Sequence, residues 1–208
     1  HVTAHLGGGV GKAHAALSAA MPFPARQSYL LLEEPRDRHY VEEIESLGRT
    51  VEVATSLDQV ATRAAGADIV QFEFWNHPKL FECLARTPFP PMRAVFWAHV
   101  SGLFRPVIPP GFLAEADRFV FTTTASTEMP AVTALSSAQR GKLAVIGSGF
   151  GFEASANWAA PPSVLPDISP SRGEIGPWHG LPAQPTPRLA EAMRDTGSRA
   201  VLHPISPV

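Results

Sequence analysis

This sequence of 208 residues has one cysteine, Cys83, so no internal disulfide can close, and no Cys/His spacing of the zinc-binding kind accompanies it. A reducing, cytoplasmic setting is the expectation. An excess of one charge is also lacking: 17 basic residues face 19 acidic ones, with no basic block. That argues against a nucleic-acid surface. No stretch approaches the roughly 18 apolar residues of a membrane span, and no signal-peptide pattern stands at the front, where His1 already lies in an apparent strand. What is present is a hydrophobic content of 45%, enough for a substantial core.

Short apolar runs alternate with helical patterns. "HVTAHL" (1–6), "SYLLLEE" (28–34), "TVEVA" (50–54), "ADIVQFEFW" (67–75), "RAVFWAHV" (93–100), "DRFVFTTT" (117–124) and "KLAVIG" (142–147) read as strands. Between them, "GKAHAALSAAM" (11–21), "RHYVEEIESLG" (38–48), "LDQVATRAAG" (57–66), a segment around Leu80 to Ala85 and "STEMPAVTALSS" (126–137) read as helices. Strands that are nearly continuously apolar and alternate with helices form a parallel sheet covered on both faces. The expected fold is therefore α/β, with a Rossmann-like sheet over residues 1–150 and an irregular Pro-rich tail over 151–208.

In "HLGGGVGKAH" (5–14) a strand stops at glycines and a helix starts, which leaves backbone N–H groups at the positive end of the helix dipole. Named phosphate loops do not fit. A Walker A loop needs Gly where Leu6 stands and Ser or Thr where Ala13 stands, and a dinucleotide fingerprint needs Gly at Lys12 or His14. Two readings stay open: an anion cradle built on Gly8, Gly9, Gly11 and Lys12, or a tight turn with no ligand.

A parallel sheet binds ligands beyond the carboxyl ends of its strands. His99 in "FWAHVSG" is the main candidate there, as an imidazole that can bond a hydroxyl or share a developing charge; a structural histidine is the competing reading. Glu73 and Asn76 in "FEFWNH" are candidate hydroxyl binders, while His77, followed by Pro78, is expected to start the next helix.

The ordered pieces "HVTAHLGGGVGKA", "ADIVQFEFW", "AVFWAHVSG", "ADRFVFTTTASTEM" and "KLAVIGSGFG" resemble the amino-terminal, acceptor-side half of a GT-B glycosyltransferase of family 4. The likeness covers about 150 residues through loose motifs in the right order. It implies a retaining transfer from a nucleotide sugar to an acceptor, with Gly8, Gly9, Gly11 and Lys12 near donor phosphates and acceptor and His99 close to the transferred sugar. No cofactor and no tightly held metal are implied: backbone N–H groups and basic side chains would stabilise the leaving diphosphate.

The tail departs from that family. Residues 151–208 hold 10 of the 21 prolines, only "RLAEAMRD" (188–195) reads as helical, and the Glu-x7-Glu motif of the family's donor domain is absent: Glu153, Glu174 and Glu191 meet Pro161, Pro182 and Arg199. Glu34 and Glu42 have the spacing, but in the wrong half, and are read as a coincidence. The expectation is a glycosyltransferase, or a truncated form of one, that lacks its donor domain or takes it from a partner chain and is inactive alone. The alternative is a non-catalytic Rossmann module that binds an anionic small molecule or a partner domain.

Overall fold

A computed structural model describes residues 1–21, 26–105 and 107–147. Seven strands form one wholly parallel sheet: β1 (Val2–Thr3), β2 (Ser28–Leu31), β3 (Thr50–Val53), β4 (Val70–Phe74), β5 (Ala94–Ala98), β6 (Arg118–Phe121) and β7 (Leu143–Val145). Their order is β3-β2-β1-β4-β5-β6-β7. The chain therefore steps outward from β1 to β3, returns, and steps outward again from β4. The reversal lies between β1 and β4, where Val2 pairs with Phe72. A parallel α/β sheet offers its ligand crevice at such a switch point, on the carboxyl side.

The strand period of two sorts the core into two layers. Phe72, Phe74, Phe96, Phe119 and Phe121 face α3 (Leu57–Ala65), α4 (Pro78–Arg86) and α5 (Pro110–Glu115), which contribute Val60, Leu80, Leu84 and Phe112. On the opposite side, Tyr29 and Leu31 pack against Val10 and Ala15 of α1 (Gly8–Ala20) and Val41 and Ile44 of α2 (His39–Ser46). Alternation along β4 thus sends Phe72 and Phe74 to the first layer, and Gln71 and Glu73 to the side under α1.

The expected α/β class and parallel sheet are present, with three local differences. Helix α1 begins at Gly8, so Gly8, Gly9 and Gly11 lie in its first turn and not in a loop ahead of it. Residues 126–137 are not one helix. Pro130 supplies no N–H, so the segment breaks into a 3-10 turn (Thr124–Glu128), then α6 (Pro130–Thr133) and α7 (Ser137–Arg140). Helix α5, opened by Pro110, was not anticipated from the sequence. Among the described residues no helix is long and apolar enough to cross a membrane. The tail 151–208, with its expected helix at 188–195, lies outside the described residues.

Candidate functional site

Glu73 is the centre of a polar cluster inside an otherwise apolar layer. It is completely buried, and both carboxylate oxygens are taken by protein nitrogens. Oε1 lies 2.7 Å from Gln71 Nε2, 3.0 Å from His14 Nε2 and 3.4 Å from His1 Nδ1, while Oε2 lies 2.8 Å from His99 Nε2. Burial pushes the Glu73 carboxyl up, but the charge of His14 and the close nitrogens of His1, His14 and His99 outweigh it and hold the group well below the usual carboxylate range. Glu73 is therefore an anion in the folded chain.

His99 reaches this carboxylate from just beyond β5. Its backbone N–H donates to the Phe74 carbonyl at 2.9 Å, extending the β4–β5 ladder past the strand end, and its ring packs against Trp97 at 4.8 Å. It follows the carboxyl end of β5, so it is the cluster member at the carboxyl edge, and its imidazole is 11% exposed. With Nε2 donating to Glu73, the neutral ring has Nδ1 left as an acceptor.

On the far side of Glu73 from His99, His1 stacks on Tyr29 at 4.7 Å, and the fully buried His14 meets Tyr29 and Trp97 edge-on at 5.3 and 5.6 Å. The Tyr29 hydroxyl and Ser18 Oγ share a hydrogen bond of 2.8 Å. Burial pushes the Tyr29 phenol up to about 12, against the downward pull of that bond.

The glycines divide into three roles. At Gly11 a Cβ would run into the Leu6 carbonyl and come within 2.9 Å of the Tyr40 ring, so hydrogen alone lets α1 sit on the strand end and on α2. Gly8 has φ +73°, a left-handed conformation that side chains disfavour. Gly9 has neither constraint, because nothing lies within 4 Å of its Cβ position. Gly8 and Gly9 are exposed, which leaves open space over the first turn of α1. Lys12 is exposed and lines a groove between α1 and α2 with Ala16, Tyr40 and Glu43. Asn76 lies exposed in the β4–α4 turn, also at the carboxyl edge.

A second group, His5, Glu33 and His77, sits past the carboxyl ends of β1, β2 and β4. Gly7 N–H donates to His5 Nδ1 at 3.1 Å, and Lys79 N–H donates to His77 Nδ1 at 3.3 Å, which makes His77 the N-cap of α4 as its sequence context implied. His77 Nε2 faces Glu33 Oε1 at 3.3 Å. Burial, followed by the neighbouring His77, lowers the His5 pKa; Glu33 raises it and Arg36 lowers it further.

The structure thus joins Glu73 to His99, two candidates read from the sequence. Sequence reasoning missed His1, His14 and Gln71. A signal for His14 was available: Val10, His14 and Ser18 recur every four residues on the buried face of an Ala-rich helix, where two polar groups require partners. Glu73 and Gln71 also share a strand face by simple alternation. No protein-family model matches the chain, and comparison with curated proteins and with solved structures likewise gives no match.

Proposed function

We propose that this domain is the acceptor-side half of a retaining, nucleotide-sugar-dependent glycosyltransferase. The observation that carries the reading is the Glu73–His99 pair, 2.8 Å apart at the carboxyl edge, with Glu73 closed off and His99 mostly covered but still reached by solvent. Glu73 is then a positioning residue. As a buried anion it fixes the His99 Nε2–H, which leaves Nδ1 to accept from a sugar hydroxyl. Gly8 and Gly9 offer their backbone N–H groups, at the positive end of α1, to the leaving diphosphate. In the transfer the acceptor oxygen bonds to the anomeric carbon, and the bond from that carbon to the diphosphate oxygen breaks. The acceptor's proton passes to the departing oxygen.

The test is binding, read at His99. Imidazole NMR signals of the chain are followed during titration with a nucleoside diphosphate and with a panel of simple glycosides. A ligand-dependent shift of His99 is expected, together with loss of the diphosphate response in Gly9→Val, whose melting temperature should stay near that of the parent. Silence of His99 towards the whole panel would refute the reading. Sugar transfer by the chain alone is expected to be undetectable; robust turnover abolished by His99→Ala would place the donor site within residues 1–208.

A further inference from the structure

Among the described residues two side-chain groups bring potential metal ligands together: His1, His14 and Glu73 under α1, and His5, Glu33 and His77 at the carboxyl edge. Within each group the ligand atoms lie within 4.8 Å of one another. Their tautomers separate them. In the edge group, backbone N–H groups donate to Nδ1 of both histidines, so each neutral ring carries its proton on Nε2, and in His77 that nitrogen faces Glu33. A metal needs a lone pair there. The edge group therefore presents N–H donors, and Glu33 accepts from His77.

The inner group has the opposite character. His14 is fully buried, and among the described residues neither of its ring nitrogens has a hydrogen-bond partner. Its Nε2 is 3.0 Å from Glu73 Oε1, yet misaligned for a hydrogen bond. His1 Nδ1 approaches the same oxygen at 3.4 Å. The carboxylate is thus an electrostatic neighbour of His14 Nε2 without an aligned hydrogen bond, an arrangement that a cation bridging the two would satisfy when the ring is neutral. Around a tetrahedral zinc ion with bonds of about 2.0–2.1 Å, neighbouring ligand atoms stand roughly 3.3–3.4 Å apart. The His1 separation matches that spacing, the His14 separation is a few tenths of an ångström shorter, and all three ligand atoms lie within 4.8 Å of one another.

We propose that His1 Nδ1, His14 Nε2 and Glu73 Oε1 form a three-ligand site for a divalent cation of the zinc class, with the fourth position left to water. Two imidazoles and one carboxylate suit a borderline-soft ion better than calcium or magnesium, which take oxygen ligands. Gln71 and His99 hold the carboxylate from outside, at 2.7 Å and 2.8 Å, as outer partners of a metal ligand do. The ion would tie α1 to the strands on either side of the switch point. His99 remains on Oε2, so the site shares Glu73 with the glycosyl-transfer reading but uses its other oxygen, and zinc binding is tested apart from any response of His99 to sugars or diphosphate.

The test uses the untagged chain 1–208, stripped of metal, titrated with zinc against a chromogenic chelator and separately with cobalt. One equivalent of zinc is expected, with a raised melting temperature and the intense visible cobalt bands of a four-coordinate site. His1→Ala, which removes the half-covered ligand, should stay folded and weaken binding by about tenfold or more. His5→Ala and His77→Asn, which keeps a cap for α4, should leave affinity unchanged. Absence of stoichiometric binding, or undiminished binding in folded His1→Ala, would overturn the proposal. Loss of binding in the His5 or His77 variants would do the same by moving the ion to the edge. A last control adds one residue ahead of His1: unchanged affinity supports the side-chain site, and lost affinity would assign the ion to a free amine.

Discussion

At the scale of single residues, Glu73 is the side chain whose replacement separates charge from shape. Its carboxyl is held well below its ordinary value of 4.5, because the charge of His14 and the nearby nitrogens outweigh the opposing effect of burial. As pH falls through 4.5 the unfolded chain takes up this proton first, whereas the folded chain resists until lower pH. The stability Glu73 contributes is therefore complete above its ordinary value and lost as pH falls through the depressed one. Glu73→Gln should remove that part of the acid dependence, seen in urea midpoints between about pH 6 and pH 3. At neutral pH it should also cost on the order of 3 kcal/mol, since histidines arranged around an anion would face a neutral amide. An unchanged acid slope would show that other groups set it. The glycines give a second prediction at this scale. Gly11→Ala should cost about 1–3 kcal/mol through its collision with the Leu6 carbonyl. Gly8→Ala should cost about 1–2 kcal/mol for its left-handed backbone, and Gly9→Ala should be neutral or stabilising by up to about 1 kcal/mol. Thermal melts of the three variants give the ranking directly.

At the scale of elements, what the sequence revealed depended on how local the deciding physics was. All seven strands were legible, β3 to β6 as short runs rich in β-branched and aromatic residues and β2 through its apolar run Tyr29 to Leu32, and α4 was legible because His77 and Pro78 mark its start. The segment from Ser126 to Ser137 misled because its apolar spacing suits a helix while Pro130 breaks the hydrogen-bond ladder. Ser136 then restarts the chain as a helix: its hydroxyl accepts from Gln139 N–H at 3.2 Å, and Gln139 Oε1 accepts from Ser136 N–H at 2.9 Å. This reciprocal cap is the main local support of a four-residue helix, so Ser136→Ala should cost about 1 kcal/mol and Ser136→Thr much less, by urea denaturation. Of the candidate site, His99 and Glu73 were visible as polar residues at strand ends. Their meeting with His1 and His14 was not, because it needs four segments brought together by the β1–β4 pairing and by the roll of α1.

At the scale of the whole molecule, the parallel order places the buried Glu73 cluster beside the switch point and apolar layers over the rest of the described sheet, so a buried probe in one layer can test whether that layer opens with the sheet. Cys83 is such a probe. It lies fully buried on α4, in the layer of Phe72, Phe74 and Phe96, and its Sγ is 3.5 Å from Thr87 Oγ1. Burial pushes the thiol up to about 11, outweighing the Thr87 hydrogen bond, and the adjacent Glu82 charge raises it further. Thiolate is the reactive form, so near neutral pH both exclusion of reagent and suppressed ionisation protect the native side chain. Labelling should therefore require opening of the layer. For a domain of ordinary stability, about 5 kcal/mol or more, the native rate should fall more than about a thousandfold below the rate in strong denaturant. Added urea distinguishes two routes. If α4 leaves only with the rest of the sheet, the logarithm of the labelling rate should rise with the same urea slope as global unfolding measured by circular dichroism. A shallow slope with fast labelling in water would mean that α4 detaches alone and that the helical layer over Phe72 and Phe96 is a separate cooperative unit.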